Sequence, residues 1–243
     1  MGSIGSNLQE VKRRIAAACA ESGRVANILT QSADFDAPPA VTLLAVSKTF
    51  GADAVREAHA AGQRAFGENY VQEALAKIEA LSDLRPGIEW HLIGPLQSNK
   101  TKPVAEAFDW VHSVDRLKVA QRLAEQRPAW LPPLCLCLQV NVSGEASKSG
   151  VLPPEAAALA HAVAALPQDK VVLRGLMAIP EPAGDFDAQR RPHRALHELL
   201  LALNAQGLAL DTLSMGMSAA LDAAVAEGAT IVRVGTAIFG RRG

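Results

Sequence analysis

Short continuous apolar runs alternate along this chain with longer stretches whose apolar positions recur every three or four residues. The runs at 41–47, 64–67, 88–93, 110–113, 134–142, 171–179, 210–215 and 230–234 are apolar and partly β-branched, so they read as buried strands. Helices are predicted between them, near 53–61, 70–81, 98–107, 115–127, 153–166, 187–205 and 218–227. Val71, Leu75 and Ile78 share one helical face, as do Leu196, Leu199, Leu200 and Leu203. The punctuation agrees: Gly62 and Gly228 stop helices, Pro153-Pro154 opens one, and Asp115 and Ser218 are the expected caps of two others. A further helix is expected at 7–22, with Leu8, Val11, Ile15, Ala18 and Cys19 on its buried face, Asn7 as cap and Gly23 as stop. Residues 30–40, polar and carrying Pro38-Pro39, form a loop rather than a domain linker, because only one helix precedes them.

Eight strands alternating with helices argue for a parallel sheet, and eight units in 243 residues match a single-domain α/β (β/α)8 TIM-type barrel, with an extra N-terminal helix, over 1–243. That helix, 7–22, would cover the gap left after the last strand. The alternative, a doubly wound open sheet, wants a glycine-rich turn after its first strand, and Ser47-Lys48-Thr49-Phe50-Gly51 is not one.

Composition narrows the function classes. With 49% apolar and 20% charged residues the chain can bury a sizeable core, and a net charge of −1 gives no electrostatic footprint for nucleic acid or a membrane surface. No apolar run approaches the roughly 20 residues of a membrane span. The first residues lack the basic and apolar regions of a secretory signal. Cys19, Cys135 and Cys137 are an odd set; the last two share a strand face and cannot bridge each other, so reduced core cysteines and a cytoplasmic location are expected.

In such a barrel, chemistry gathers at the C-terminal strand ends. Those positions here are Lys48, Asn69, His91, Ser113, Asn141, Met177, Ser214 and Arg233-Val234-Gly235-Thr236. A lysine ending a strand is either an ammonium in water or an amine held in a pocket as a carbonyl nucleophile. Arg233 and Gly235 share a strand face toward the barrel mouth; the plainer reading of Arg233 is an ion pair with Glu68, Asp211 or Asp222. Gly235-Thr236, with Ser214 and the helix start near Ser218, has the residue types of a phosphate cradle, though Gly-Thr is also an ordinary turn. An amine, an inward arginine and a phosphate cradle at one mouth suggest pyridoxal 5′-phosphate (PLP). An arginine facing the pyridine nitrogen would leave it unprotonated and the ring a weak electron sink.

Long stretches carry a resemblance: Leu44-Ala45-Val46-Ser47-Lys48, Phe66-Gly67-Glu68-Asn69-Tyr70-Val71-Gln72-Glu73 and Trp90-His91-Leu92-Ile93-Gly94-Pro95-Leu96-Gln97-Ser98-Asn99-Lys100. They continue through His112-Ser113-Val114-Asp115-Arg116, Ser147-Lys148-Ser149-Gly150 and Arg174-Gly175-Leu176-Met177-Ala178-Ile179-Pro180. The last are Leu213-Ser214-Met215-Gly216-Met217-Ser218 and Val232-Arg233-Val234-Gly235-Thr236-Ala237-Ile238-Phe239-Gly240. Nearly the whole chain thereby resembles the pyridoxal phosphate homeostasis protein family, whose barrel is similar to the N-terminal domain of alanine racemase. The resemblance implies that Lys48 forms the imine with PLP. It also implies that Ser214, Gly235 and Thr236 hold the phosphate, Arg233 meets the pyridine nitrogen and Asn69 lies near the ring hydroxyl. Two departures stand out: Thr49-Phe50-Gly51 where the family often has a proline, and Ala220 where an acidic residue is usual, with Asp222 nearby.

Alanine racemase-like enzymes add a β-rich domain whose tyrosine is the second acid/base. Here the chain runs only just past the eighth strand and its one tyrosine is Tyr70. The expectation is therefore a PLP carrier acting in PLP homeostasis, without turnover, monomeric, with apo-PLP enzymes as recipients. A weak PLP-dependent amino-acid racemase is the alternative; an aldolase-like barrel lacks an evident carboxylate beside Lys48. Among lesser signals, His193 and His197 are i, i+4 but have no third metal ligand and read as a solvated face. Residues 144–150 lack phosphate-loop spacing and read as a flexible loop or lid. Trp90, Trp110 and Trp130 are expected to pack, and Arg241-Arg242 is too small a basic patch to imply a partner.

Overall fold

The computed structural model of the protein describes residues 2–24, 41–143 and 149–240. The 30–40 loop, residues 144–148 of the expected lid and Arg241-Arg242 lie outside the described residues. Eight parallel strands close into a barrel in sequence order: β1 (Thr42–Val46), β2 (Ala65–Glu68), β3 (Glu89–Leu92), β4 (Trp110–Val114), β5 (Leu134–Gln139), β6 (Val171–Met177), β7 (Thr212–Met217) and β8 (Ile231–Val234). β8 pairs with β1 from Thr42↔Ile231 to Ala45↔Val234, and this closure excludes the open sheet. The helices are α1 (Ile4–Glu21), α2 (Ala52–Ala60), α3 (Val71–Ala80), α4 (Thr101–Ala107), α5 (Leu117–Gln126), α6 (Pro153–Ala164), α7 (Phe186–Ala205), α8 (Leu221–Ala226) and α9 (Thr236–Phe239).

Period-2 alternation divides each strand between two cores. Outward residues such as Leu43, Phe66, Trp90, Val111 and Leu136 pack under the helices in one large cluster. Inward residues form two smaller clusters, one of Leu44, Val46, Ala65, Ile93 and Ile231, the other of Trp110, Cys137 and Met177 with Cys135 against it. Cys135 and Cys137 do share a face, and all three cysteines are free thiols.

α1 packs against α2, α8 and α9, which is the gap-covering role expected of it. Polar contacts fix its register: Asn7 Nδ2 donates to Ile238 O (2.9 Å), and Arg14 pairs with Asp222 (2.7 Å) and donates to Ser218 O (2.7 Å). Asn7 is thus not the cap, a role that falls to Ser3, whose hydroxyl accepts from Ser6 N. Asp115 and Ser218 cap nothing either. Their helices begin later, at Leu117 and Leu221, because Asp115 instead meets Arg116 and the chain turns once more after Ser218. α7 starts under an Asp185 cap and runs through Pro192. His193 on it is 1% exposed, so the solvated-face reading fails there, and among the described residues no cluster of metal-ligating side chains exists. Trp90 is buried as expected, whereas Trp130 is 84% exposed.

Candidate functional site

Lys48 follows β1 after Ser47 and continues the inward parity of Leu44 and Val46, so alternation assigns its side chain to the barrel mouth. The peptides on either side of it are held from α3. Lys77 Nζ donates to Ser47 O (2.9 Å) and pairs with Glu68 (2.5 Å) and Glu73 (3.2 Å). Glu73 Oε1 in turn accepts the Thr49 N–H (2.6 Å), and Ser47 Oγ donates to Glu68 Oε1 (2.6 Å). This grip explains how Thr49 adopts φ +69, a conformation costly for a β-branched residue. Phe50 stacks on Phe239 (5.2 Å between centroids), tying the Lys48 turn to α9. Glu68 and Lys77 are both buried. Burial pushes the Glu68 carboxyl up, against the Lys77 ammonium and the Ser47 hydroxyl, which pull it down.

Arg233 is 4% exposed on β8. Its Nη1 donates to Ser214 O (2.6 Å) and Ser214 Oγ (2.8 Å), and its Nη2 to Ala178 O (2.8 Å). The ion-pair reading fails for all three candidates: Glu68 pairs with Lys77, Asp211 with Arg174 and Asp222 with Arg14. Burial lowers the Arg233 guanidinium to about 10, so it remains cationic at neutral pH. Ser214, placed by the resemblance at a phosphate, is fully buried, its oxygen engaged by Arg233 and by His112 Nδ1 (2.7 Å). A bulge in β7 between Ser214 and Met217, with Gly216 at φ +88, brings Ser214 and Arg233 together.

Gly235 opens the turn into α9, and Thr236 is its first residue. A Cβ on Gly235 would stand 3.0 Å from Val46 O, so the close approach of β8 to β1 excludes a side chain here without a shift. Across the mouth, Asn69 lines a cleft of about 610 Å³ with Ile93, Gly94, Gln139, Ser149 and Ile179. Its Oδ1 is buried without a hydrogen-bond partner among the described residues, an acceptor awaiting a donor. A second cleft of about 440 Å³ runs from Arg233 and Gly216 to Glu181, Gln189 and His193. Lys48, Asn69, Arg233, Gly235 and Thr236 therefore surround one mouth, while Ser214 lies beneath it.

The sequence reading missed His112. It placed Ser113 at the end of the fourth strand, but Ser113 Oγ is buried without a partner among the described residues, and His112 is the inward residue. Strand parity carried the signal: Trp110 and His112 share a face, as do Glu89 and His91 on β3.

The alanine racemase N-terminal domain family matches residues 25–243. The pyridoxal phosphate homeostasis protein of Pseudomonas aeruginosa is 60% identical over 242 residues, covering 100% of this chain and 97% of its own length. That of Escherichia coli K12 is 49% identical over 243 residues, covering 100% and 98%. Among solved structures, PipY of Synechococcus elongatus with PLP bound superposes with a TM-score of 0.77 at 41% identity, covering 93% of this chain and all of PipY. Alanine racemase of Corynebacterium glutamicum, at 19% identity and a TM-score of 0.63, shares the fold over 97% of this chain and 62% of its own. The chain belongs to the pyridoxal phosphate homeostasis protein family, built on the barrel of the alanine racemase N-terminal domain.

Proposed function

We propose that this protein binds PLP at the barrel mouth, anchors it as an imine on Lys48 and serves intracellular PLP homeostasis as a monomeric carrier that supplies apo-enzymes. The observation that carries the reading is the convergence of a positioned lysine, a caged arginine and an orphan acceptor on one mouth. The residues fit the cofactor in kind. Asn69 Oδ1 lacks a donor among the described residues, which the ring hydroxyl would supply, and Gly235 leaves backbone exposed where a side chain would stand. The cofactor brings an aldehyde that condenses with amines.

The chain's own residues divide the remaining work. α3 fixes the turn that presents Lys48 through the Lys77 and Glu73 contacts. Arg233 donates to the pyridine nitrogen and, having no proton to give near neutral pH, keeps that nitrogen unprotonated. Gly235, Thr236 and the Ser218 turn, which α1 steadies through Arg14, receive the phosphate. Ser214 serves this site through Arg233, since its hydroxyl is already engaged. Relatives named for PLP homeostasis, and PipY with PLP bound, support the same reading.

Equilibrium titration with PLP, followed by its visible absorption, tests the binding. Micromolar or tighter association is expected. A keto-sugar phosphate trapped by borohydride in place of PLP would move the reading to an aldolase. Amino-acid racemisation that Lys48→Ala abolishes would move it to an enzyme.

A further inference from the structure

A buried line of hydrogen bonds crosses the barrel interior beneath the mouth. It begins at Arg233 and passes to Ser214 Oγ (2.8 Å), then to His112 Nδ1 (2.7 Å). From His112 Nε2 it continues to His91 Nδ1 (2.8 Å), and from His91 Nε2 to Glu89 Oε1 (2.7 Å). Ser214, His112 and His91 are at most 1% exposed, and only the Glu89 side chain, at the N-terminal end of β3, reaches solvent.

Donor counting sets the direction of every link. Arg233 can only donate, so Ser214 Oγ accepts from it. The single Ser214 hydrogen then goes to His112 Nδ1, which leaves the His112 proton on Nε2, directed at His91 Nδ1. By the same step the His91 proton is on Nε2, directed at Glu89. Were His112 to donate through Nδ1, the Ser214 hydroxyl would have no acceptor among the described residues. Burial, His91 and Arg233 all press His112 well below an ordinary histidine, which keeps it neutral, as this pattern requires. Stacking of His91 on Trp110 (5.4 Å, 7° between planes) locks the ring plane.

The consequence lies at Arg233. Of its five N–H groups, both on Nη1 and one on Nη2 are committed to Ser214 and Ala178. The remaining two, on Nε and Nη2, lie along one edge of the planar fork. We propose that Ser214, His112, His91 and Glu89 are positioning residues that act as a one-way hydrogen-bond chain, setting the plane of the Arg233 guanidinium and presenting its uncommitted edge to the cofactor's pyridine nitrogen. The cofactor part of this statement rests on the PLP reading; the chain itself does not.

Two variants and two readouts test it. In the unliganded protein near neutral pH, ¹⁵N correlation of the imidazoles is expected to show both His91 and His112 protonated on Nε2. Glu89→Ala, an edge substitution that touches no ligand, is expected to shift the Arg233 side-chain N–H resonance from four links away, and Ser214→Ala to shift it further. With PLP added, Ser214→Ala is expected to bind roughly tenfold more weakly, the worth of about one charge-assisted hydrogen bond, and both variants to displace the visible band. A proton on His112 Nδ1, or an Arg233 resonance unmoved in the variants, overturns the chain. Resonances that move while the PLP band and affinity stay at wild-type values overturn the positioning role. If wild type fails to bind PLP, the cofactor reading falls and the positioning role with it, while the imidazole spectra alone decide the chain.

Discussion

Lys77→Met removes the ammonium that joins Glu68, Glu73 and the Ser47 carbonyl beneath Lys48. Glu68 is fully buried, and its Oε2 already lacks a partner among the described residues, so the variant leaves an uncompensated carboxylate in the interior. Breaking a buried pair in this way costs about 3–5 kcal/mol, or roughly 6–20 °C in Tm at about 2–4 °C per kcal/mol for a chain of this size. Protonation limits that cost. Burial already raises the Glu68 carboxyl above its unfolded value, and loss of Lys77 raises it further. With the folded value above the unfolded one, the native state holds the extra proton between them. Stability is therefore fullest at low pH and falls as pH rises through the folded value. Urea unfolding of the unliganded protein is thus expected to show the full loss at pH 8 and a smaller one at pH 5. Glu68→Gln combined with Lys77→Met is expected to recover most of the pH 8 loss. A loss below about 1 kcal/mol at both pH values would refute the buried-pair argument.

Burial lowers the buried His193 to about 4, and the unfolded chain binds its proton first as pH drops below about 6.5. His193 therefore favours the fold fully above that pH and loses roughly 3 kcal/mol of contribution by pH 4, at about 1.4 kcal/mol per pH unit; His193→Gln should flatten the acid side of a stability-against-pH curve. Gly235→Ala brings a Cβ to 3.0 Å from Val46 O and displaces the turn, so PLP affinity should drop roughly threefold to tenfold with a Tm change below about 3 °C. Arg233→Lys replaces the fork by a point donor that cannot satisfy Ser214 and Ala178 together, and titration should show PLP binding weakened about tenfold or more.

The barrel was legible because its two periodicities are clean: eight apolar runs of strand length, the first seven each followed by a helical face. Helix starts were less so. Asp115 and Ser218 have the chemistry of caps, but Asp115 pairs with its chain neighbour Arg116, and the helices begin only at Leu117 and Leu221. Lys48, Asn69, Arg233, Gly235 and Thr236 could be grouped from the sequence as one candidate set because strand ends in a barrel converge. The support beneath them could not, since it joins residues far apart in the chain. Lys77 lies 30 positions from the Ser47 carbonyl that it holds, and His112 lies 102 from Ser214. Ser113 was picked as the last residue of a strand at 110–113, with its facing left unassigned, and that hid His112 one position before it. Ser214 was recognised by type but not by orientation, which the β7 bulge decides.

The carrier role proposed for this protein turns on Lys48 being the amine that holds PLP. Its most direct test is to mix the purified protein with PLP, reduce with borohydride and map the modified peptide by mass spectrometry, with Lys48→Ala alongside. A yellow band that borohydride bleaches and a pyridoxyl mass fixed on Lys48 are expected, both absent from the variant. A label on another lysine, or a protein that stays colourless with PLP, would contradict that role and return Lys48 to a solvated strand end.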